Sequence, residues 1–324
     1  MRIVYLGSGE FGLECLNALA QSSHNLDFIV TQPPRQAGRG RKPTPTPVAN
    51  WANENSISFL ETQDVNDPQV VQRIKGYKPD LIVVIAFGQK IGNELIKLPQ
   101  YFLAKARTGA INVHASLLPK YRGAAPINWA IINGETETGI SIITLAEKMD
   151  AGPILSQAKT KIIADETAGQ LHDKLARMAA PLLLETIDKI ADNSAVYTEQ
   201  DHSKATPAPK LKKSDGFLDF ANSAEVLRRK ILGLWPWPGA STIYLSKKTN
   251  KSVRVTIALA YVVEPSNPAH LQPGTLNENL NVVCGENALK IVKIKPDGSG
   301  LMDFKDFVNG RQTRPGDMFT KIDK

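Results

Sequence analysis

Arg2-Ile-Val-Tyr-Leu-Gly7-Ser-Gly9-Glu-Phe-Gly12, running on into Leu13-Glu-Cys-Leu-Asn-Ala-Leu-Ala20, decides the fold of this 324-residue chain. A short apolar run meets a Gly-x-Gly-x-x-Gly turn and then an amphipathic helix. That is the first unit of a Rossmann-like α/β sheet, and the glycine spacing is also the dinucleotide-binding fingerprint. Taken literally it predicts a nicotinamide dehydrogenase. Such an enzyme needs an acidic residue at the end of the second strand to hold the ribose hydroxyls. The second strand, 26–31, ends in Thr31-Gln32-Pro33, and Asp27 lies at its beginning. The glycines therefore read as a tight strand-to-helix turn, and no nicotinamide is expected.

The alternation continues outward from this unit. A helix over 48–55 precedes a strand over 57–60, and a helix over 68–75 precedes the apolar strand 81–85. Ala86-Phe-Gly-Gln-Lys-Ile91 then turns into a short helix ending before Pro99. Strand, turn and helix in repeated order predict a parallel sheet with right-handed crossovers. The next strand opens Gly109-Ala-Ile-Asn-Val-His-Ala-Ser-Leu-Leu-Pro-Lys-Tyr-Arg-Gly-Ala-Ala-Pro126. Ile111 and Val113 alternate with Asn112 and His114, so the amide and the imidazole share one face. They sit at the C-terminal end of the strand, where open α/β folds place ligands. After a helix over 126–133, strands 139–145 and 154–163 flank Met149-Asp150-Ala-Gly152. A long helix then runs to about residue 190, with Thr167 as N-cap and Leu171, Leu175 and Met178 on one face.

Asn112-Val-His114 followed by Ser116-Leu-Leu-Pro119 resembles the signature of the 10-formyltetrahydrofolate-dependent formyltransferases. In that family an Asn, a His and a later Asp form the catalytic set, and Asp150 after the next strand matches the third member. Ala115 departs from close relatives, which often carry Gly. The resemblance implies 10-formyltetrahydrofolate as formyl donor, with Ser116, Leu117, Leu118 and Pro119 in its pocket. Phe87, Gly88 and Ile91 leave the same sheet edge and are expected to line that pocket too. Asn112 would donate to the oxyanion of a tetrahedral intermediate and His114 would donate or shuttle a proton. Asp150 would orient the imidazole, favour its cation or accept the amine proton through water. No recognised nucleophile motif sits beside His114, so direct transfer without an acyl-enzyme is expected.

The stretch 33–47 holds five prolines, the positives Arg35, Arg39, Arg41 and Lys42, and no acid. Its prolines and glycines predict a loop without regular structure, and its charge suits phosphates. Family members that act on initiator methionyl-tRNA carry at this point a basic loop that enters the acceptor stem. Arg39, Gly40, Arg41 and Lys42 match it. Charge elsewhere agrees: residues 1–200 balance at 20 basic and 20 acidic, whereas 201–324 hold 19 against 12. A basic C-terminal part beside a neutral N-terminal one predicts an acidic macromolecule as partner.

Residues 192–213 read as a linker that turns basic and Pro-rich in Ala205-Thr-Pro-Ala-Pro-Lys-Leu-Lys-Lys213. It separates a catalytic domain, 1–191, from a second domain, 214–324. In the latter, a helix over 223–234 precedes Trp235-Pro-Trp-Pro-Gly239, expected to cap a core, and short strands at 240–245, 253–263, 282–284 and 289–295. These predict a small OB-like barrel with Lys212, Lys213 and Lys230 toward tRNA. Cys15 and Cys284 make neither a disulfide framework nor a zinc site, and no metal is expected. No apolar run is long enough to span a membrane and no signal peptide is read, so a cytoplasmic location is expected; a monomer is expected as well. The rival readings are a formyltransferase acting on a small amine, such as glycinamide ribonucleotide or an amino-sugar nucleotide, and a non-catalytic RNA-binding relative. The basic loop and barrel speak against the first, and the intact Asn112, His114 and Asp150 against the second.

Overall fold

The computed structural model describes residues 1–37, 42–99, 109–264 and 271–322. Along the chain come β1 (Arg2–Gly7), α1 (Leu13–Ala20), β2 (Asn25–Thr31), β3 (Arg35–Ala37), β4 (Lys42–Thr44), α2 (Pro47–Glu54), β5 (Phe59–Glu61), α3 (Pro68–Gly76), β6 (Leu81–Ile85) and α4 (Asn93–Lys97). There follow β7 (Ala110–His114), β8 (Arg122–Gly123), α5 (Pro126–Ile132), β9 (Glu137–Thr144), β10 (Ile154–Lys161) and α6 (Ala168–Ala191). The chain divides into two compact units. The first comprises 1–126, 137–161 and 172–208, and the second 127–136, 162–171 and 209–324. The stretch expected as a linker thus divides, with 192–208 in the first unit and 209–213 in the second.

A seven-stranded sheet in the order β10-β9-β7-β6-β1-β2-β5 forms the first unit. Ile3, Val4, Tyr5 and Leu6 of β1 and Leu81, Ile82, Val83 and Ile85 of β6 are wholly buried. Unbroken apolar runs of this kind belong to central parallel strands covered on both faces. Helix starts follow their sequence signals: Thr46 Oγ1 accepts from Ala49 N ahead of Pro47, and the Asp67 side chain accepts from Gln69 N ahead of Pro68. Strands β5, β2, β1, β6 and β7 are mutually parallel. β9 runs antiparallel to both β7 and β10, so the sheet is mixed. The short 145–153 connection has no room for a helical crossover, and without one β10 must reverse against β9.

The glycine motif has a local cause. A Cβ on Gly12 would lie 1.8 Å from the Tyr5 hydroxyl, and one on Gly7 would lie 2.5 Å from Tyr5 Cε1. These glycines make room for a buried tyrosine of the preceding strand. Cys15 on α1 is also buried, and burial pushes its thiol up to about 12.

Stretch 33–47 corrects the sequence expectation. Arg35–Ala37 pairs antiparallel with Lys42–Thr44, so its described residues form a short hairpin. A proline is tolerated there because Pro43 sits in a two-stranded ribbon with no further neighbour.

The first unit ends with β11 (Pro207–Ala208), and the second adds α7 (Ala224–Leu234), β12 (Ala240–Leu245), β13 (Ser252–Val263), β14 (Val282–Val283), β15 (Ala288–Pro296), β16 (Met302–Asp303), α8 (Phe304–Arg311) and β17 (Met318–Thr320). The barrel order is β14-β15-β13-β12-β17, with β16 paired to β15. Residues 274–276 bond to both edges: Gly274 N to Val283 O, Leu276 N to Asp317 O, and Phe319 N to Gly274 O. That segment nearly closes the antiparallel barrel and satisfies edge groups that would otherwise be open. Inside, Tyr244 stacks edge-on against Phe307 at 5.0 Å and donates to Asp317 Oδ2 at 2.6 Å. Burial, helped by that carboxylate, pushes the Tyr244 phenol up to about 12. Trp237 is 55% exposed, so the Trp-Pro-Trp-Pro turn does not cap a core with that ring.

Candidate active site

β7 carries Asn112 and His114 to one face, as alternation requires. β9 ends opposite Ile111, at the start of β7. The 145–153 turn must therefore double back to bring Asp150 onto the Asn112–His114 face. It does so with a left-handed residue: Asp150 has φ +52°, a conformation that costs a non-glycine residue about 1 kcal/mol or more. Asn112 Nδ2 donates to Asp150 Oδ1 at 3.4 Å, and His114 Nδ1 lies 3.6 Å from Asp150 Oδ2. His114 is 6% exposed and the Asp150 side chain 11%.

The hydrogen bonds fix where the imidazole proton sits. His114 Nε2 is 2.8 Å from the Tyr121 carbonyl oxygen, which can only accept. Nε2 therefore carries a proton, and Nδ1 is the nitrogen free to gain or lose one. A proton on Nδ1 makes an ion pair with Asp150; without it, a lone pair faces the carboxylate. Gly123 N donates to Asp150 Oδ2 at 2.9 Å and holds that oxygen in place.

Four supports went unread in the sequence: Gln200, Arg122, Tyr121 and Gly123. Gln200 Nε2 donates to the Asp150 carbonyl at 2.9 Å and to the Gly152 carbonyl at 2.7 Å. Its Oε1 accepts from Arg122 Nη2 at 2.6 Å. Nothing local marks a glutamine fifty residues beyond the aspartate it supports. Tyr121 and Gly123, by contrast, lie inside the quoted signature, and both have positive φ.

Gly152 packs against the strand it follows. An added Cβ would lie 1.9 Å from the Thr144 carbonyl oxygen. Gly152→Ala should cost about 1–3 kcal/mol of stability, as overpacking does, and should displace Asp150 two residues away. Paired thermal melts and turnover measurements check this, with both values expected to fall together.

The expected folate residues divide into two groups. Ser116–Pro119 is tied to β9 and β10: Leu118 N donates to Ser141 Oγ, and Gln157 Nε2 donates to the Leu118 carbonyl. Ser116 Oγ is spent on the Lys120 carbonyl, and the Leu117 side chain lies over Gly139. Phe87, Gly88 and Ile91 are held from the other side. Gln32 Nε2 donates to the Phe87 carbonyl, Gln89 to the Thr62 carbonyl, and Asn66 to the Lys90 carbonyl. The Phe87 ring lies in the core with Val4, Phe28 and Val84, and Ile91 packs against that cluster. Phe87 therefore offers no ring face to a ligand. Gly88, at φ +78°, borders a cavity of about 410 Å³ with Gln32, Arg35 and Gln63. Among the described residues no hydrogen bond joins the two loops.

Of the expected tRNA residues, Arg39, Gly40 and Arg41 lie outside the described residues, and Lys42 is exposed on β4. Lys212 and Lys213 are exposed. Lys230 differs from expectation: it is half-buried, its ammonium donates to the Phe217 carbonyl at 2.8 Å, and burial lowers its pKa. Its neighbours Arg228 and Arg229 are both paired with Glu225. No group of three potential metal ligands occurs among the described residues, and no described helix is long and apolar enough to cross a membrane.

A family model described as formyl transferase matches residues 1–187, and one described as formyl transferase, C-terminal domain, matches 210–312. The chain belongs to the formyl transferase family. Two formyl transferases similar to it along nearly their whole length are named methionyl-tRNA formyltransferase. That of Citrifermentans bemidjiense is 38% identical, over 100% of this chain and 98% of its own. That of Caldanaerobacter subterraneus subsp. tengcongensis is 39% identical, over 98% of this chain and 99% of its own. The crystal structure of HypX from Aquifex aeolicus in complex with tetrahydrofolic acid shares the fold, with a TM-score of 0.60 at 17% identity over 100% of this chain and 51% of HypX.

Proposed function

We infer that this formyl transferase moves the formyl group of 10-formyltetrahydrofolate to the α-amine of methionine esterified to initiator tRNA. One observation carries the reading: the triad of Asn112, His114 and Asp150 is assembled on a chain that matches methionyl-tRNA formyltransferases from end to end. A small-amine substrate would leave the basic stretch 33–47 and the basic C-terminal part without a role.

The neutral amine attacks the formyl carbon, a C–N bond forms, and the carbonyl electrons move onto oxygen. Asn112 Nδ2 donates to that oxyanion, relinquishing its long bond to Asp150. Donors placed where charge develops lower the barrier. The intermediate collapses by breaking the bond to N10 of the folate. The amine loses a proton and N10 gains one. His114 can exchange a proton only at Nδ1, since Nε2 is held by Tyr121. Asp150 stabilises the imidazolium while the proton is in transit. Ser116–Pro119 and the backbone of Gly88 and Ile91 line the folate side, and the hairpin with Lys42 and the exposed Lys212 and Lys213 face the tRNA. The reading places a catalytic unit before a tRNA-binding barrel, working as a cytoplasmic monomer without metal or nicotinamide.

Formylation of charged initiator tRNA, charged elongator tRNA and free methionine tests the reading. Initiator tRNA should be strongly preferred. Equal rates on free methionine or on a small amine would replace it with the small-amine reading.

A further inference from the structure

Asp150 is held by a closed ring of bonds. Arg122 Nη2 and Nε donate to Gln200 Oε1 at 2.6 and 3.2 Å. Gln200 Nε2 donates to the Asp150 carbonyl, and Asp150 Oδ2 accepts from Gly123 N. Gly123 is bonded covalently to Arg122, which completes the ring. Gln200 is 6% exposed and its amide is fully used, with two bonds out to Asp150 and Gly152 and its oxygen filled by Arg122. The remaining partner of Arg122 is His202 Nδ1, at 2.8 Å from Nη2. No carboxylate among the described residues pairs with this guanidinium. Two of its three bonds go to Gln200 Oε1 and hold that side chain in register.

We propose that Arg122 and Gln200 are positioning residues for formyl transfer, acting through Asp150 to hold its carboxylate against His114 Nδ1. The inference rests on the formyl-transfer reading of the triad. Three facts converge on it. Asp150 sits in a left-handed conformation that only surrounding bonds can maintain. Its carbonyl and side chain are held by separate arms of the ring, so neither the backbone nor the carboxylate can turn alone. The segment bearing Gln200 is itself pinned, because Thr198 and Ile154 exchange both backbone bonds at the start of β10. The same tripeptide, Tyr121-Arg122-Gly123, also holds His114 Nε2 through the Tyr121 carbonyl. It therefore sets both members of the proton-transfer pair relative to each other.

Gln200→Glu isolates the role. The glutamate is isosteric and keeps an oxygen for Arg122, but its ionised form has no N–H for the carbonyls of Asp150 and Gly152. A displacement of about 1 Å at a reacting group can cost on the order of 100-fold. Single-turnover formylation by Gln200→Glu should fall about 10- to 100-fold in rate, with KM for folate and for tRNA unchanged. In an Asp150→Asn background the same substitution should cost less than about 2-fold, because contributions acting through one group are not additive. Arg122→Ala should reproduce the kcat loss and Arg122→Lys should recover part of it, which keeps the test sound if Gln200→Glu fails to fold. A full cost persisting in the Asp150→Asn background, or a change in KM at constant kcat, overturns the proposal while leaving the triad reading intact. An Asp150→Asn enzyme that is fully active overturns the triad reading itself.

Discussion

Purified His114→Ala should fold and turn over at least about 100-fold more slowly than the parent, the loss that follows removal of a general acid–base group. The substitution removes the ring nitrogen that faces Asp150, the Nδ1 at 3.6 Å from Oδ2. It also removes the Nε2 that lies 2.8 Å from the Tyr121 carbonyl oxygen. The fold should persist, since the ring lies at the end of β7 while the apolar core of the sheet runs through β1 and β6. Asn112→Ala should cost about as much, by loss of an oxyanion donor, with KM for both substrates little changed. Circular dichroism and thermal melts establish folding, and steady-state formylation of charged initiator tRNA supplies the rates. Near-normal turnover by folded His114→Ala would remove the imidazole from the mechanism.

The parts of the molecule that follow local rules were legible in the sequence. β1, β6 and the turn between β1 and α1 announce themselves by apolar runs and glycines, and the missing acid at Thr31-Gln32 correctly separates this sheet from a dehydrogenase. Asn112 and His114 were readable because strand alternation fixes their shared face before any tertiary contact forms. Asp150 was readable only by resemblance. Its partnership with β7 depends on an antiparallel β9 and a turn that doubles back, and neither leaves a periodic trace. Gln200 had no trace at all. The pairing of 35–37 with 42–44 was missed because proline excludes the interior of a sheet but not a two-stranded ribbon. Lys230 was expected toward tRNA from the basic run Arg228-Arg229-Lys230, because sequence counts charges without their partners. Glu225 and the Phe217 carbonyl consume them.

Deleting residues 35–42 should lower kcat/KM for initiator tRNA by about 10-fold or more. The expectation starts from charge: the deleted stretch carries Arg35, Arg39, Arg41 and Lys42 and no acid. Each cation that neutralises a phosphate releases a counterion, so the deletion should also flatten the dependence of tRNA affinity on salt. The fold should tolerate the loss. Among the described residues β3 and β4 form a two-stranded ribbon of their own, and besides the Arg35–Gln32 bond two anchoring contacts lie outside the deleted stretch. Those are Thr46 capping α2 and Gln32 bonded to the Phe87 carbonyl. Lys212→Ala and Lys213→Ala should have smaller, salt-sensitive effects on affinity, since phosphate contacts position a nucleic acid without reading its sequence. Lys230→Ala should act differently, changing stability more than tRNA affinity, because its ammonium already serves the Phe217 carbonyl. Formylation kinetics on initiator and elongator tRNA at two salt concentrations separate these outcomes. Unchanged initiator kinetics after the deletion would take the hairpin out of tRNA recognition and move the small-amine reading to the front, because the barrel alone would then have to explain why the chain is basic.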